Sequence, residues 1–327
     1  MKSVRASRGW TRAAVAVLAG ALALGVTACG SSSDDAGSSD QSVVIKHARG
    51  ETTISGTPKK IVTLGNQWLD ATLALGVTPV GYLDNVAILA KNTPPWEPES
   101  LKSAKTLSAV GNVAEQVAAL EPDLILVDAF VAGQGNTYDD LSKLAPTVPG
   151  LSKETVNPWQ DQVTALGKVL HKQDAATAVI ANVDKKIQAI ATANPGLKGK
   201  TFASTWLGGP TQLMVLTDPN DGSAKLFTQL GMGIPKNLTE LPSTGGRLAL
   251  SPERADQLTA DLLLAGYSPG LEDAYKQLPG YNDLPAVKKG SVVFLTTLEI
   301  TAINQPTALS TTYILDKLTP AFAAAAK

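Results

Sequence analysis

One pattern occurs twice in this chain and constrains its fold more than any other feature: a short helix that leads directly into a buried strand. In the first copy, Val110–Val127, apolar residues recur at roughly helical spacing over Val113–Leu120, and Pro122 ends the helix. Leu124–Val127 is then fully apolar, as is typical of a strand that a parallel sheet buries on both faces. We therefore predict a helix–strand unit of a parallel α/β sheet.

The second copy is Ser251–Leu264, where a serine N-cap and a proline at the first helical position precede a short helix and the strand Leu262–Leu264. In both copies a glutamate in the first helical turn lies eight residues before the aspartate that opens the strand: Glu115 before Asp123, and Glu253 before Asp261. The helix dipole alone favours one such glutamate by about 0.3–1 kcal/mol. A matched pair instead predicts two pseudo-symmetric lobes that each present one exposed acid.

Strands and helices alternate on both sides of one long helix. Ser42–Ile54 has the alternation of a β-hairpin, and strand Ile61–Leu64, helix Trp68–Leu75 and strand Thr78–Tyr82 indicate parallel α/β architecture. Gln173–Ala193 is the longest uninterrupted helical pattern, about 31 Å at the usual rise per residue. After it the α/β pattern starts again.

We therefore predict an α/β fold: two Rossmann-like lobes, 42–172 and 195–327, joined by a single long α-helix at 173–194, with a ligand cleft between them. Because a helix is stiffer than paired extended linkers, we expect only small motions of one lobe relative to the other.

The first 28 residues have the features of a bacterial lipoprotein signal peptide. Four basic residues precede Ala13–Thr27, an apolar run that is too short to span a bilayer. Val26–Cys29 resembles a lipobox, and residues 29–41 form a flexible polar tether. We expect Cys29 to be lipidated and to anchor the chain to the outer face of the cytoplasmic membrane. The alternative is an ordinary cleaved signal with a chance cysteine.

Composition excludes several classes of function. Cys29 is the only cysteine, and His47 and His171 are the only histidines, so an intrachain disulfide, a CxxC metal site and a cluster of imidazole ligands are all excluded or disfavoured. A formal net charge of −1 argues against a nucleic-acid binder. Residues 1–28 hold four of the 28 basic residues and none of the 29 acidic ones, so the remainder is mildly acidic.

Further short motifs follow one another from Val43 to the C-terminus. They are His47–Thr52, Pro58–Val62, Leu75–Tyr82, Val110–Asn112 with Leu120–Ile125, Leu144–Val148, and Ala286–Gly290 with Val292–Phe294. In order and spacing they resemble the substrate-binding lipoproteins of iron–siderophore ABC importers, periplasmic binding proteins whose lobes are joined by one long helix. The resemblance implies a monomer that captures a ferric siderophore for an ABC permease, without enzymatic activity or a covalent cofactor. The chelator would hold the iron, so no protein metal ligands are expected.

The resemblance also implies a role for the paired glutamates. In this family one exposed acid on each lobe meets arginines of the permease, and Glu115 and Glu253 fall on those motif positions. Solvated ion pairs of this kind contribute modestly to affinity but set orientation and encounter rate.

Ligands of α/β lobes bind beyond the carboxyl ends of the strands, and this rule selects our ligand-binding candidates. They are Trp68, Tyr82, Asn85, Trp96, Trp159, Trp206, Arg247 and Tyr267. Four of the five tryptophans lie in such loops or in the proline-rich loop Lys91–Pro98, which fits a large, partly apolar ligand. The alternative is that these tryptophans pack as lids on their own lobes.

Arg247 is the arginine that we expect to contact the ligand, since its guanidinium suits carboxylate, catecholate or hydroxamate oxygens. The alternative is a surface salt bridge beside Glu253. Lys91 is the only other cation predicted near the cleft, which disfavours a strongly anionic tris-catecholate. A hydroxamate or mixed-type chelate, haem and cobalamin remain open.

Two further hypotheses come from other functional classes. Gly266–Gly270 matches the GxSxG motif of a hydrolase nucleophile elbow, but both histidines precede Ser268, and Pro269 removes a backbone N–H that the oxyanion hole needs. A non-transport lipoprotein that binds a ligand or a membrane partner is the third class.

Overall fold

The computed structural model describes residues 42–154 and 156–327; the signal peptide, Cys29 and the tether lie outside them. Within the described residues the strands form one two-stranded hairpin and two five-stranded sheets. No helix in this part of the chain is both long and apolar enough to cross a bilayer.

The first lobe contains the hairpin and a parallel sheet. Its strands are β1 Val43–His47, β2 Gly50–Ile54, β3 Ile61–Leu64, β4 Gly81–Leu83, β5 Lys105–Thr106, β6 Leu124–Val127 and β7 Thr147–Val148. Its helices are α1 Asn66–Ala74, α2 Asn85–Ala90, α3 Val113–Ala118, α4 Ala129–Ala132, α5 Thr137–Leu141 and α6 Trp159–Val169, with a 3-10 helix at Glu99–Ser103. The sheet order is β5-β4-β3-β6-β7, and every pairing is parallel. All residues of β3 and β6 are buried, as expected for apolar strands covered on both faces.

The linking helix, α7, covers Gln173–Ala193 as predicted. It buries Ala176, Val183, Ile187 and Ile190 on one stripe and packs against α6 and the last helix of the chain. This stripe belongs to a hydrophobic core that runs through both lobes.

The second lobe contains a mixed sheet. Its strands are β8 Phe202–Gly209, β9 Gln212–Leu216, β10 Arg247–Leu250, β11 Leu262–Tyr267 and β12 Val292–Leu295. Its helices are α8 Lys225–Gln229, α9 Lys236–Thr239, α10 Glu272–Lys276, α11 Pro285–Lys289, α12 Thr297–Asn304 and α13 Ala308–Ala325, with 3-10 helices at Pro195–Leu197, Gly222–Ala224, Pro252–Gln257 and Tyr281–Asp283. The order is β10-β9-β8-β11-β12, with β9 antiparallel to both of its neighbours.

The two sheets share one structural device at their centres, which confirms the pseudo-symmetry predicted from the repeat. Asp123 precedes β6 and accepts hydrogen bonds from the amides of Lys59 and Lys60, just before β3 (2.7 and 2.9 Å). Asp261 precedes β11 and accepts one from the amide of Thr201, just before β8 (2.9 Å). Each aspartate therefore ties together the starts of the two central strands of its lobe.

The helices of the repeat differ. Glu115 lies in an α-helix capped by the side chain of Asn112, whereas Glu253 lies in a 3-10 helix with non-helical backbone at Arg254. Ser251 occupies the predicted N-cap position and Pro252 follows it, but the Ser251 side chain makes no capping hydrogen bond.

The C-terminal segment returns to the first lobe. The side-chain amide of Asn66 donates to the backbone carbonyl of Gln305 (3.5 Å), and the side-chain amide of Gln67 donates to the carbonyl of Pro306 (3.4 Å). The Thr307 hydroxyl donates to the buried carboxyl of Asp70 (2.5 Å). Helix α13 then packs on α1 and α7. The lobes are therefore joined by α7 and also by this segment.

Candidate functional site

Two adjoining cavities lie between residues of the first and second lobes and share Val156 in their linings. The first, of about 300 Å³, is here called the sheet-face cavity; it is bounded by β8, β9, β10 and the C-terminal half of α12. The second, of about 500 Å³, is called the rim cavity; it lies among Glu154, Pro158, Asp218, Asp221, Lys225 and Gly245–Gly246. Together they are large enough for a metal chelate of drug-like size.

The sheet-face cavity owes its lining to strand alternation. Trp206 pairs with Met214, and Leu216 pairs with Arg247, in the registers of β8–β9 and β9–β10. Side chains two residues apart point to one face, so Trp206, Met214, Leu216 and Arg247 line one wall. Ser204, Asn304 and Gln305 add polar groups to this mainly apolar surface.

The second-lobe site lies on the face of the sheet as well as beyond the strand ends. Trp206 and Arg247 were expected beyond the carboxyl ends of strands, and this is wrong. Strand β8 continues to Gly209, and Arg247 is the first residue of β10. Trp206 and Arg247, both predicted to contact the ligand, nevertheless line the sheet-face cavity.

Arg247 is held in an ion pair with Asp221, a residue that lines the rim cavity. Its Nη1 lies 2.7 Å from Oδ2 of Asp221, and its Nη2 donates to Oδ1 of Asp221 and to the Ser223 hydroxyl, each at 3.4 Å. Burial raises the pKa of Asp221, but hydrogen bonds from Ser223 and Arg247 outweigh it, and the pKa lies below its usual value. The alternative we considered for Arg247, a salt bridge beside Glu253, is therefore replaced by a bridge to Asp221.

A third cavity, of about 240 Å³, lies beyond the carboxyl ends of β11 and β12, against Ala90 and Asn92 of the first lobe. Tyr267 lines it and donates a hydrogen bond to Glu272 (2.9 Å). Thr296 and Thr297, at the start of α12, line it too. Tyr267 thus lies at the predicted strand end and faces the first lobe.

The structure does not bring Trp68 to the cleft. Helix α1 begins at Asn66 rather than at Trp68, and the indole is 1% exposed within the core of the first lobe. Trp159 is also buried, in a narrow pocket between the lobes that includes Ile187 of α7 and Lys225. Trp96 donates its indole N–H to Asp70 (3.0 Å) and packs on Tyr313.

The two remaining candidates of the first lobe are half-buried. The Tyr82 hydroxyl, on β4, accepts a hydrogen bond from Thr106 (3.1 Å), and Asn85 is the first residue of α2. Neither lines the three cavities described above.

Four carboxyl groups lie together near the carboxyl edge of the first sheet: Asp70, Asp84, Glu97 and Asp128. Burial raises the pKa of Asp70 and of Asp128 to about 7 each. Burial and then the charge of Asp84 raise the pKa of Glu97 to about 9. Asp128 accepts hydrogen bonds from the amides of Gln67 and Trp68 at the start of α1, so the cluster organises this edge of the lobe.

Metal ligation by the protein itself has no support in the described residues, where no group of three or more His, Cys, Asp or Glu side chains could hold a metal ion.

Glu115 and Glu253, the paired glutamates of the repeat, are both exposed. Glu115 accepts a hydrogen bond from the side-chain amide of Asn112 (2.8 Å).

Several residues of the cleft were not predicted from the sequence. Met214, Leu216, Ile300 and Asn304 line the sheet-face cavity. The pattern Thr296-x-x-Glu299 is a capping box, a sequence signal for the start of a helix, and the structure contains this box at the start of α12.

Comparisons with known proteins agree with this geometry. The profile of a family described as periplasmic binding protein matches residues 61–297. The chain is 30% identical over 278 residues to the Fe(3+)-citrate-binding protein YfmC of Bacillus subtilis, covering 82% of this chain and 84% of that protein. A periplasmic solute-binding protein of Mycobacterium smegmatis superposes with a TM-score of 0.73 at 28% identity, over 88% of this chain and 99% of its own. PiaA of Streptococcus pneumoniae in complex with ferrichrome gives 0.68 at 26% identity, over 86% and 99%.

Proposed function

This chain belongs to the periplasmic binding protein family, and we propose that it captures a ferric siderophore between its lobes and delivers it to an ABC permease for iron uptake. Proteins of this family are substrate-binding components of ABC transporters and not enzymes, so the GxSxG motif at Gly266–Gly270 is not a hydrolase site. The protein acts outside the cytoplasm.

The observation that carries this proposal is the sheet-face cavity, lined by Trp206, Met214 and Arg247, together with the rim cavity that adjoins it at Val156 of the other lobe. An apolar wall with a few polar groups suits the organic shell of a chelate, which presents carbon as well as oxygen. The relatives named for ferric citrate and for a ferrichrome complex support a ferric chelate as the ligand class. Because the chelator saturates the iron, the protein needs only to recognise the shell.

We also propose how the protein delivers its ligand to the permease. Glu115 and Glu253, exposed on matched elements of the two lobes, would meet arginines of the permease. Cys29 would carry the lipid that keeps the protein near that permease, and the protein would act as a monomer. Haem and cobalamin are the competing ligands within the same class of transporter.

Intrinsic tryptophan fluorescence of the mature chain, from Gly30 onward, tests the proposal. The titrants are a ferric hydroxamate, a ferric mixed-type siderophore, a ferric catecholate, haem and cobalamin. We expect saturable quenching by at least one ferric chelate. Quenching by haem or cobalamin alone would keep transport but replace the ligand, and no response to any titrant would favour a non-transport envelope lipoprotein.

A further inference from the structure

We propose that Asp221 decides which ferric chelates the cleft accepts: by holding Arg247 in an ion pair, it makes the cleft select neutral or cationic chelates over anionic ones. This inference rests on the proposed function and adds to it the charge class of the ligand.

The ion pair occupies the groups with which Arg247 would otherwise bind an anion. Both of its terminal nitrogens face Asp221 oxygens, at 2.7 and 3.4 Å, and the side chains are only 26% and 16% exposed. Asp221 is itself fixed, since its Oδ1 accepts from the amide and the hydroxyl of Ser223 (2.8 and 2.6 Å). A carboxylate on the ligand would have to displace a carboxylate that is already in place.

The other charged groups in the linings do not restore a positive site. The rim cavity also contains Glu154, Asp218 and Lys225. Once Asp221 and Arg247 cancel, two acids and one exposed lysine remain, and none of these three forms a salt bridge within residues 42–154 and 156–327. The part of the cleft that the structure describes therefore carries no excess of positive charge.

Ferric chelates differ in charge by their chemistry. Three hydroxamates balance the charge of ferric iron and give a neutral core, and a free ammonium arm makes such a chelate cationic. Citrate and catecholate ligands leave ferric complexes anionic. An anion entering this cleft would lose water without gaining a free guanidinium, whereas a neutral trihydroxamate would pay no such electrostatic penalty.

The test compares dissociation constants for ferrichrome, ferrioxamine B and ferric dicitrate, measured by tryptophan quenching. We expect the wild-type protein to bind the two hydroxamates at least about tenfold more tightly than the dicitrate. Asp221→Asn keeps an oxygen for Ser223 but frees Arg247, and it should shift the preference towards dicitrate by about tenfold. This shift should shrink at high salt.

Two variants separate this role from a change in net charge or in structure. Asp283→Asn removes an equal charge from an exposed ion pair with Lys288 that lines none of these cavities, and it should leave the preference unchanged. Asp221→Asn with Arg247→Gln should return the preference to the wild-type value. Because each preference is a ratio within one protein, a loss of stability does not imitate it.

Tighter wild-type binding of dicitrate than of both hydroxamates would overturn the inference while the proposed function stood. An unchanged ratio in Asp221→Asn, or an equal shift in Asp283→Asn, would overturn it as well. If no ferric chelate bound the wild-type protein, the proposed function itself would fail.

Discussion

At the scale of single residues, the tryptophans divide into one in the cavity wall and others that are packed elsewhere. Trp206 lies on the strand face that bounds the sheet-face cavity, and its indole N–H is buried without a partner among the described residues. Trp68 is enclosed in the core of the first lobe. Position relative to the strand, rather than residue type, therefore decides which indole can sense a ligand.

Trp206→Phe is expected to remove most of the ligand-induced quenching and to weaken binding by about threefold to tenfold, because the larger ring and its donor are lost. Trp68→Phe should keep the quenching and the affinity and lower only the free energy of unfolding, by about 1 kcal/mol or more. Titration and thermal unfolding of both variants check this. Loss of quenching in Trp68→Phe instead would contradict the assignment of the cavity.

The carboxyl cluster of the first lobe makes stability depend on pH. Oδ2 of Asp84 is buried and receives no hydrogen bond from an N–H or hydroxyl group of residues 42–154 and 156–327. The Glu97 carboxyl lies against Asp84, so we infer that the two carboxyl groups share a proton. The raised pKa values of Asp70, Asp128 and Glu97, about 7, 7 and 9, mean that the folded state binds more protons than the unfolded state. Their stabilising contribution is complete below about pH 4 and is lost as pH rises through 7 to 9.

The free energy of unfolding should therefore fall between pH 5 and pH 9. Glu97→Gln keeps the size and shape of the side chain and does not have to take up a proton on folding. It should therefore reduce the pH dependence of the free energy of unfolding and stabilise the protein at pH 9 by about 1–3 kcal/mol relative to the wild type. The control is Glu99→Gln, an exposed acid of the same region that pairs with Lys102. Denaturant unfolding across this pH range is the measurement, and an unchanged slope in Glu97→Gln would contradict the shared proton.

At the scale of elements, the two aspartates that open β6 and β11 hold the centre of each sheet. Alanine at Asp123 or at Asp261 leaves amides of the neighbouring strand unpaired, and each should cost about 2 kcal/mol of unfolding free energy. Asp316→Ala, which breaks a pair between exposed Asp316 and half-buried Lys186, should cost about 0.5 kcal/mol or less. If all three variants unfolded at the same denaturant concentration, the pseudo-symmetric role of the aspartates would be wrong.

Apolar runs and long periodic patterns made some elements predictable from the sequence. Strands Ile61–Leu64 and Leu124–Val127 and helix Gln173–Ala193 have the predicted bounds, because burial on both faces and helical periodicity leave direct signals. β10 was missed because an antiparallel edge strand next to two glycines has no such signal. In the same way, Trp206 was expected after the end of its strand, yet the pairing with β9 extends β8 to Gly209.

The candidate site was predictable only in part. The sequence indicated Trp206, Arg247 and Tyr267, which line cavities, but Arg247 is bound by Asp221, a partner 26 residues away that no local pattern indicates. The side chain of Trp68 was predicted to face the cleft, but the helix starts at Asn66, two residues earlier than predicted. Because successive side chains are turned by roughly 100° around a helix axis, this difference changes the direction in which Trp68 points. Contacts between the C-terminal segment and the first lobe, such as that of Thr307 with Asp70, depend on tertiary packing alone.

At the scale of the whole molecule, the two lobes are tied by α7 and by the returning segment at Gln305–Thr307. Two such connections oppose wide opening, so we expect the cleft to be largely formed before the ligand arrives. Glu115 and Glu253 lie on the surface of separate lobes, and this arrangement would give the permease one acid from each. Ligand capture and docking would then use different residues.

Reversing both charges, Glu115→Lys with Glu253→Lys, should abolish iron uptake in cells while the affinity for the ferric chelate stays within about twofold, since neither residue lines any of the three cavities described above. Glu121→Lys, an 82% exposed acid beyond the far end of α3, serves as the control and should retain uptake. Uptake of radioactive iron and fluorescence titration give the two readouts. Loss of chelate affinity in the double variant would mean that the glutamates are structural.

The most direct test of the central claim is the position of iron in crystals grown with a ferric trihydroxamate, located by anomalous scattering at the iron edge. We predict one iron peak between Val156 and the wall formed by Trp206 and Met214, too far from any protein oxygen or nitrogen to be coordinated. A peak outside the cleft, or an iron bound directly by carboxylates such as Asp218, would contradict a site that recognises an intact chelate.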